Sequence, residues 1–205
     1  MKNSRRGTQL KLVLELTNSQ LVLFKPSWYS RDEIMNGSVY SGKDRHNSEI
    51  VSFHLAAILN LRYTPIWLII FSACMVFVIF CKSDEIVCDD QQNGTLEGAV
   101  LFTIPGKIIK YRSPWQRTYK EQLKAEWEKN DNYCALISKK LNFDVLLDLI
   151  DAAIFDFLIQ NGDRHHYETR ENRVLLLDNG KGFGNPFYPT HNLGEVTNIF
   201  WRSTK

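Results

Sequence analysis

Two acidic loops on either side of a short apolar segment constrain this chain more than any other feature. The first loop spans residues 161–168 and carries Asp163, and the second spans residues 178–184 and begins with Asp178. Residues 174–177 between them are fully apolar, as is typical of a short buried strand. Side chains at the exit of such a strand are commonly presented for chemistry. The pattern therefore predicts one site with two carboxylates fifteen positions apart.

The clearest helix of the chain precedes these loops. Residues 145–159 carry apolar side chains at spacings of three and four, with Asp144 as the expected cap and Asn161-Gly162 as the stop. The predicted apolar stripe consists of Leu146, Leu149, Ile150, Ala153, Ile154, Phe157 and Leu158. Protein kinases likewise place a catalytic Asp after a helix and a metal-binding Asp after the short hairpin that follows.

The first half of the chain is expected to be rich in strands. Residues 10–16 alternate between apolar and polar, and residues 21–24 are apolar, so with the turn between them they predict a hairpin that ends at Pro26. Another apolar run, residues 99–104, ends at Pro105-Gly106. A strand-rich part followed by a helical part predicts an α+β protein with two lobes.

A helix is also expected after the hairpin. Asn47 is a suitable cap for it, Glu49 lies in its first turn, and its apolar positions are Ile50, Phe53, Ala57 and Ile58. Lys11 and Lys25, one on each strand of the hairpin, are within reach of a phosphate, although strand lysines are often merely solvated. In kinases a helix carboxylate orients the strand lysine, and Glu49 is placed for that role. No glycine-rich phosphate loop is found, since Gly7 stands alone, which disfavours an ordinary cytosolic kinase.

The spacing within the first acidic loop indicates metal chemistry. Kinases have a metal-binding Asn five positions after the catalytic Asp, and this chain has Glu168 there. Glu168 and Asp178 would form a hard, negative site suited to Mn²⁺ or Mg²⁺, while Asp163 would accept the proton of an attacking hydroxyl. The pair His165-His166 suggests zinc as an alternative, but no third ligand stands at a useful spacing, so bracing hydrogen bonds are the favoured role.

Composition excludes several other classes of function. The 205 residues hold 25 Lys and Arg against 23 Asp and Glu, too balanced for a nucleic-acid-binding surface, so no nucleic-acid partner is expected. Four cysteines are too few for a disulfide scaffold, and none forms a Cys-x-x-Cys pair, so a structural zinc cluster is disfavoured.

The only long apolar run, residues 66–81, leaves three interpretations open. It carries no charge, yet its 16 residues fall short of the roughly 18–20 that cross a bilayer comfortably. It is a buried core segment, a short or tilted membrane span, or an artefact of gene modelling. Residues 1–6 are basic, but the alternating stretch after them predicts a strand and not a signal peptide.

Motifs along about three quarters of the chain resemble the secretory-pathway kinases, the group of the Golgi casein kinases and the glycosaminoglycan xylosylkinases. They lie within residues 5–65 and 98–190. The similar stretches are Arg6-Gly-Thr-Gln-Leu-Lys11, Phe24-Lys-Pro26, Asp44-Arg-His-Asn47 with Glu49, Phe53-His-Leu55, Ile154-Phe-Asp-Phe-Leu-Ile159, Asp163-Arg-His-His-Tyr-Glu168 and Leu177-Asp-Asn-Gly180. Within the group, Tyr29-Ser-Arg-Asp32, Asp44 and Phe183-Gly-Asn-Pro186 are similar to the xylosylkinases.

The resemblance implies an atypical kinase-like fold with a β-rich N-lobe over residues 5–104 and a helical, incomplete C-lobe over residues 105–205. It implies ATP and Mn²⁺ as cofactors, with Mg²⁺ as a substitute, and phosphorylation of the xylose 2-hydroxyl in the proteoglycan linkage region. Asp163 would be the base, and Asp44, Asp178 and Glu168 would bind metal. The nucleotide contacts would be Gln9, Lys11, Lys25, Glu49, the hinge Leu101, Phe102, Thr103 and Ile104, and also Glu168 and Asp178.

The chain also departs from the group. Residues 66–97 do not match its cysteine-rich insertion, so pairing of Cys74, Cys81 and Cys88 is unassigned, and the expected partner of Cys134 lies beyond residue 205. The N-terminal anchor and the closing helices of the group have no counterpart, so a truncated or mis-spliced chain with exposed core is expected. By resemblance the location is the Golgi lumen, where the sequons at Asn36 and Asn93 are candidates for glycosylation.

Four functions stay open at this level. They are a glycan kinase, a protein kinase acting on secreted serines, a pseudokinase that activates a partner, and an inactive fragment. A pseudokinase is expected to have lost one of Asp44, Asp163 and Asp178, and all three are present. The choice of acceptor, membrane association, and assembly as a homodimer or with another family member are left open.

Overall fold

The protein is described here from a computed structural model, which covers residues 2–3, 11–30, 33–37, 41–61, 64–73, 95–103, 105–115, 123–164 and 167–184, with the backbone alone at 2–3 and 67–73. Its strands are β1 (Lys2–Asn3), β2 (Leu12–Glu15), β3 (Leu21–Pro26), β4 (Trp67–Ala73), β5 (Thr95–Phe102), β6 (Ile109–Tyr111), β7 (Tyr167–Arg170) and β8 (Arg173–Leu175). Its helices are α1 (His46–Ile58), α2 (Glu126–Lys129), α3 (Tyr133–Ser138) and α4 (Phe143–Ile159).

Five strands form an antiparallel sheet in the order β1-β2-β3-β5-β4, and β6-β7-β8 form a second antiparallel sheet. The predicted hairpin is β2 and β3, and β3 ends at Pro26 as expected. Strands dominate the described part before residue 103, while α4, the longest helix, lies in the second half. This is the predicted α+β arrangement with two lobes.

The apolar run at residues 66–81 contributes a strand to the first sheet. Strand β4 pairs with β5 along its whole length, from Trp67 opposite Leu101 to Ala73 opposite Thr95. Residues 74–81 lie outside the described residues. No helix in the described part of the chain combines the length and apolarity needed to cross a bilayer. The two ends of the predicted insertion, residues 66–97, thus belong to strands β4 and β5.

The first sheet has its hydrophobic core on one face and Lys25 on the other. Leu12, Val22, Phe24, Leu96 and Val100 form one buried cluster. Because neighbouring side chains of a strand point to opposite faces, Lys25 projects away from the cluster that holds Phe24. The strand geometry that buries Phe24 in the cluster therefore also places Lys25 on the opposite face.

A Gly98→Ala substitution is expected to destabilise this sheet. A Cβ at Gly98 would lie 2.6 Å from the carbonyl oxygen of Lys25 and would also meet the ring of Phe24. Overpacking of this kind costs about 1–3 kcal/mol, so the free energy of unfolding measured in urea should fall by that amount. Ala57→Val, on the exposed side of α1, is the control and should change stability by less; equal effects would contradict this packing.

Helix α1 buries a polar face, which corrects the expected apolar one. Its buried residues are His46, Ser48, Glu49, Ser52 and Ala56, whereas Ile58 is 81% exposed. The helix begins at His46, one residue before the expected cap Asn47, and Arg45 precedes it without a side-chain cap bond. The polar face is buried because it packs against the segment after β8, as described below.

Helix α4 ends where the sequence predicts, but its cap and its buried face differ. Asn142, not Asp144, is the cap, because its side chain accepts a hydrogen bond from the Asp144 amide. The buried residues are Val145, Asp148, Leu149, Ala152, Phe155, Asp156 and Ile159. The predicted stripe is not the buried face of the helix, because α4 is apolar on nearly all sides. Two buried carboxylates that bind arginines, Asp148 and Asp156, determine which face is buried.

The other side of α4 carries an exposed apolar stripe. It consists of Phe143, Leu147, Ile150, Ile154 and Leu158, which are 36–69% exposed. Within the described residues no element covers this stripe. On its buried side α4 contributes Ala152, Phe155 and Ile159 to a cluster with Ala56 and Leu176.

Candidate functional site

The centre of the candidate site is the ammonium group of Lys25. Its Nζ donates to Asp178 Oδ1 at 2.6 Å and to Asp44 Oδ2 at 3.5 Å, and it also contacts Glu49 Oε1. Lys25 is 6% exposed and Glu49 is fully buried. The ion pair between the strand lysine and Glu49, predicted from the sequence, is thus present, and two further carboxylates join it.

The electrostatics of the cluster keep it charged. Burial alone would lower the pKa of Lys25, but the carboxylates of Glu49, Asp178 and Asp44 outweigh burial and raise it. Lys25 holds the pKa of Asp178 well below its usual range, against the opposing effect of burial. Burial raises the pKa of Glu49, and Lys25 opposes that shift. Lys25 and Asp178 are therefore ionised at neutral pH.

Hydrogen bonds to α1 hold the turn that carries Asp178. The Asn179 amide donates to Glu49 Oε2 at 2.9 Å, and Ser48 Oγ donates to the carbonyls of Asn179 and Gly182 at 2.9 and 2.7 Å. Asp178 has a φ of +59°, in the left-handed region, and its side chain is 58% exposed. The turn thus presents this carboxylate outward while its backbone is bound to the polar face of α1.

Three carboxylates converge closely enough to hold a metal ion. One oxygen each of Asp44, Glu49 and Asp178 lies within 4.8 Å of the others. Carboxylate oxygens suit hard cations such as Mg²⁺ and Mn²⁺, so the donor set fits. Glu49 already binds Lys25 and the Asn179 amide, which leaves Asp44 and Asp178 as the best placed ligands.

The structure places Glu168 on β7, outside this group of three. Burial and the nearby charge of Asp178 raise the pKa of Glu168, while Arg164, Lys110 and Lys11 oppose that shift. Lys11 Nζ lies 3.5 Å from Asp178 Oδ1. Glu168 therefore lies near the cluster, and its expected role as a metal ligand stays a prediction.

Arg164 connects the loop of Asp163 to the turn that carries Asp178. The Asp163 amide donates to Asn161 Oδ1 at 3.1 Å. The guanidinium of Arg164 donates to both oxygens of Asp156 at 2.7 and 2.8 Å, to Asn179 Oδ1 at 2.5 Å, and to the Leu177 carbonyl. Arg164 thus fastens the loop of Asp163 to α4 and to the residues on both sides of Asp178.

Removing the partner of Arg164 is expected to be costly. Asp156→Asn would leave a guanidinium whose side chain is only 6% exposed without its carboxylate. Breaking a buried pair in this way costs about 3–5 kcal/mol, measurable by urea unfolding. The control Glu126→Gln breaks an exposed pair with Lys129 and should cost less than about 1 kcal/mol. Similar costs for both variants would contradict the bracing role.

The remaining predicted residues are placed as follows. Leu101 and Phe102 end β5, and Phe102 and Thr103 line a cavity of about 420 Å³ together with residues of the β7–β8 hairpin. Asn36 is exposed, and Cys134 is a half-buried free thiol on α3. Outside the described residues lie Gln9, Ile104, Asn93, His165, His166, Cys74, Cys81 and Cys88.

Sequence reasoning missed the residues that hold the site together. Ser48, Asn179 and Arg45 bind residues 130 or more positions away in the chain. Asp156 binds Arg164 only eight positions further on, and it gave a local signal as a charge within an apolar helix.

The chain is similar to known proteins over most of its length. The family model described as Golgi casein kinase, C-terminal, Fam20 matches residues 1–71 and 68–193, and so includes the apolar run that the resemblance left out. A glycosaminoglycan xylosylkinase homolog of Drosophila melanogaster is 44% identical over an alignment of 220 residues. The alignment covers 91% of this chain and 51% of that protein. The chain spans about half the length of the curated relatives it matches.

Solved structures are similar as well. The structure of hydra Fam20 with sugar has a TM-score of 0.77 at 34% identity and covers 98% of this chain and 70% of its own. The Golgi casein kinase with Mn and ADP bound has a TM-score of 0.77 at 26% identity, covering 95% of this chain and 57% of its own. With the family model covering nearly all of the chain, the protein belongs to the Fam20 family of Golgi casein kinase type.

Proposed function

We propose that the protein is an ATP- and Mn²⁺-dependent kinase of the secretory pathway that phosphorylates a sugar hydroxyl. The observation that carries this proposal is the convergence of Lys25 with Asp44, Glu49 and Asp178 beside the loop of Asp163. A buried lysine held by a helix carboxylate, next to carboxylates that fit a cation, is the arrangement that phosphoryl transfer from a nucleotide needs.

The proposed mechanism assigns one task to each group. Asp44 and Asp178 would hold the cation, which neutralises charge on the phosphate oxygens when bound. Lys25, kept charged by its carboxylates, would bind a phosphate of ATP, and Lys11 would assist. Asp163 would accept the hydroxyl proton while the hydroxyl oxygen attacks the γ-phosphorus and the bond to ADP breaks. Gln9, Glu168 and the segment 101–104 stay predicted nucleotide contacts.

The acceptor proposed is the 2-hydroxyl of xylose in the proteoglycan linkage region. The relative at 44% identity is named as a xylosylkinase homolog, and the hydra structure was solved with sugar, whereas the Golgi casein kinase shares 26% identity. A protein serine acceptor is the alternative. A Golgi location and dimers with itself or a family member are further proposals that rest on the family.

The test is transfer of labelled phosphate from ATP with Mn²⁺, offered a galactosyl-xylose acceptor and a Ser-x-Glu peptide side by side. Label on the sugar alone is expected, and Asp163→Asn, which removes the proton acceptor, should lower it by about 10²–10⁴-fold. Label on the peptide alone would overturn the proposed acceptor. Folded protein that binds Mn-ATP but transfers no label would indicate a pseudokinase, and protein that does not fold would indicate a fragment.

A further inference from the structure

Arg45 links the two proposed metal ligands. It follows Asp44 directly, it is 6% exposed, and its amide donates to the Gly180 carbonyl at 2.8 Å. Its Nη2 donates to the Lys181 carbonyl at 2.9 Å and also to the Gly182 carbonyl. The residue beside one ligand therefore binds three successive carbonyls of the turn that carries the other, Asp178.

Close packing supports these hydrogen bonds from the side of the turn. A Cβ at Gly184 would lie 2.6 Å from Nη1 of Arg45, and a Cβ at Gly180 would lie 2.8 Å from Cγ of Asp44. Both glycines thus leave room for the residues 44–45. The Met35 amide donates to the Gly184 carbonyl at 2.9 Å, so the loop before α1 holds the far end of the turn as well.

The turn needs such support because its backbone is strained. Asp178 and Phe183 have φ of +59° and +56°, a region that non-glycine residues occupy at a cost and keep only where the surroundings fix it. Asp44 and Asp178 are also 134 positions apart in sequence, so no local structure sets their separation. Lys25 contacts both carboxylates. A ligand that binds the ammonium of Lys25 would compete with these contacts, so they do not by themselves fix the separation of the two carboxylates.

We propose that Arg45 is a positioning residue, which fixes the separation of Asp44 and Asp178 and thereby sets the affinity of the site for a divalent cation. This inference rests on the proposed function of the carboxylates as metal ligands. Arg45 itself touches neither the cation nor the nucleotide in this proposal, and acts only through the backbone of residues 180–182.

The test is a titration of the full chain with Mn²⁺, followed by the electron paramagnetic resonance signal of the free ion. Arg45→Ala removes the guanidinium, and Gly184→Ala displaces it without removing it. Both variants should weaken Mn²⁺ binding by about 10–100-fold, the usual effect of losing a group that orients metal ligands. Arg45→Lys keeps the charge but not the several donors of the guanidinium, so its Mn²⁺ affinity should lie between those of wild type and Arg45→Ala.

Two controls separate positioning from general destabilisation. Arg173→Lys alters another arginine that makes two hydrogen bonds, here to Asp148 and away from the turn, and should leave Mn²⁺ affinity unchanged. Adding guanidinium at millimolar, non-denaturing concentration should restore binding in Arg45→Ala. If Arg45→Ala does not fold, Arg45→Lys and Gly184→Ala carry the test.

The outcomes distinguish this inference from the proposed function. Wild-type affinity in Gly184→Ala and Arg45→Lys would overturn the role of Arg45 while leaving the metal site intact. An equal loss in Arg173→Lys would also overturn it, because the effect would then be general. Failure of the wild-type chain to bind Mn²⁺, with or without ATP, would instead contradict the proposed metal site.

Discussion

A Lys25→Met variant is expected to lose phosphate transfer by about 10²–10³-fold, the usual effect of removing one group that stabilises the charge developing in the transition state. Methionine keeps the length and the apolar stem of lysine but lacks the ammonium that contacts Asp44, Glu49 and Asp178. The measurement is the rate of label transfer at saturating Mn²⁺. Activity near that of wild type would contradict the placement of Lys25 at the nucleotide.

The same substitution should also destabilise the fold, with a characteristic pH dependence. Without Lys25, the fully buried Glu49 loses its cation, and breaking a buried pair costs about 3–5 kcal/mol at neutral pH. Burial already raises the pKa of Glu49 above its unfolded value, and loss of Lys25 raises it further. A carboxyl group with a raised folded pKa destabilises the fold as pH rises through that range.

The stability deficit of Lys25→Met should therefore be smaller at pH 5 than at pH 8, as measured by urea unfolding of both proteins. At still lower pH the difference in stability between the two proteins should shrink further. Wild type then loses the stability that the lowered pKa of Asp178 contributes. Lys129→Met, which breaks an exposed pair, is the control and should show no such trend. A deficit independent of pH would contradict the burial of an ionised Glu49.

Asp178→Asn is expected to lower activity strongly while destabilising the fold less than Lys25→Met does. The carboxylate is 58% exposed, and asparagine tolerates the positive φ of this position better than most residues. Loss of one of two proposed metal ligands should lower transfer by about 10²–10³-fold. Lys25 retains Glu49, so the free energy of unfolding should fall by less than in Lys25→Met, and the loss should correspond to the stability that the ionised Asp178 contributes.

Glu168→Gln is the informative comparison for Asp178→Asn. Glu168 lies outside the three converging carboxylates, so Asp178→Asn should weaken Mn²⁺ binding more than Glu168→Gln does. Equal losses would place Glu168 among the metal ligands, as the spacing of its loop predicts. A marked loss of stability in Asp178→Asn would show that the turn depends on this carboxylate and not on its backbone bonds.

The sequence predicts the parts of the fold that local patterns determine. The alternating residues of the hairpin and the apolar run after residue 98 are strands. A strand also lies between Asp163 and Asp178 as expected, but it spans Arg173–Leu175 and ends two residues before the predicted end at residue 177. The ion pair of Lys25 with Glu49 is also present, because strand register and helix position together bring the two residues face to face.

Tertiary contacts determine what the sequence could not show. The buried face of α1 is polar because Ser48 and Glu49 bind the turn after β8, which lies about 130 residues further along the chain. The orientation of α4 follows from Asp148 and Asp156, which pair with Arg173 and Arg164. Such pairs have no periodicity, so a pattern of apolar residues does not reveal them.

Asp44 and Asp178 are proposed to couple a divalent cation to nucleotide binding, and calorimetric titration with ATP measures this coupling. Wild-type protein should bind ATP about tenfold or more tightly with Mn²⁺ than with EDTA, since each ligand favours binding of the other. In Asp44→Asn and Asp178→Asn this difference should largely vanish, and in the control Glu126→Gln it should persist. The proposal would be contradicted by an ATP affinity that is equal with and without Mn²⁺ in the wild-type chain, or by a response to Mn²⁺ in both aspartate variants as strong as that of wild type.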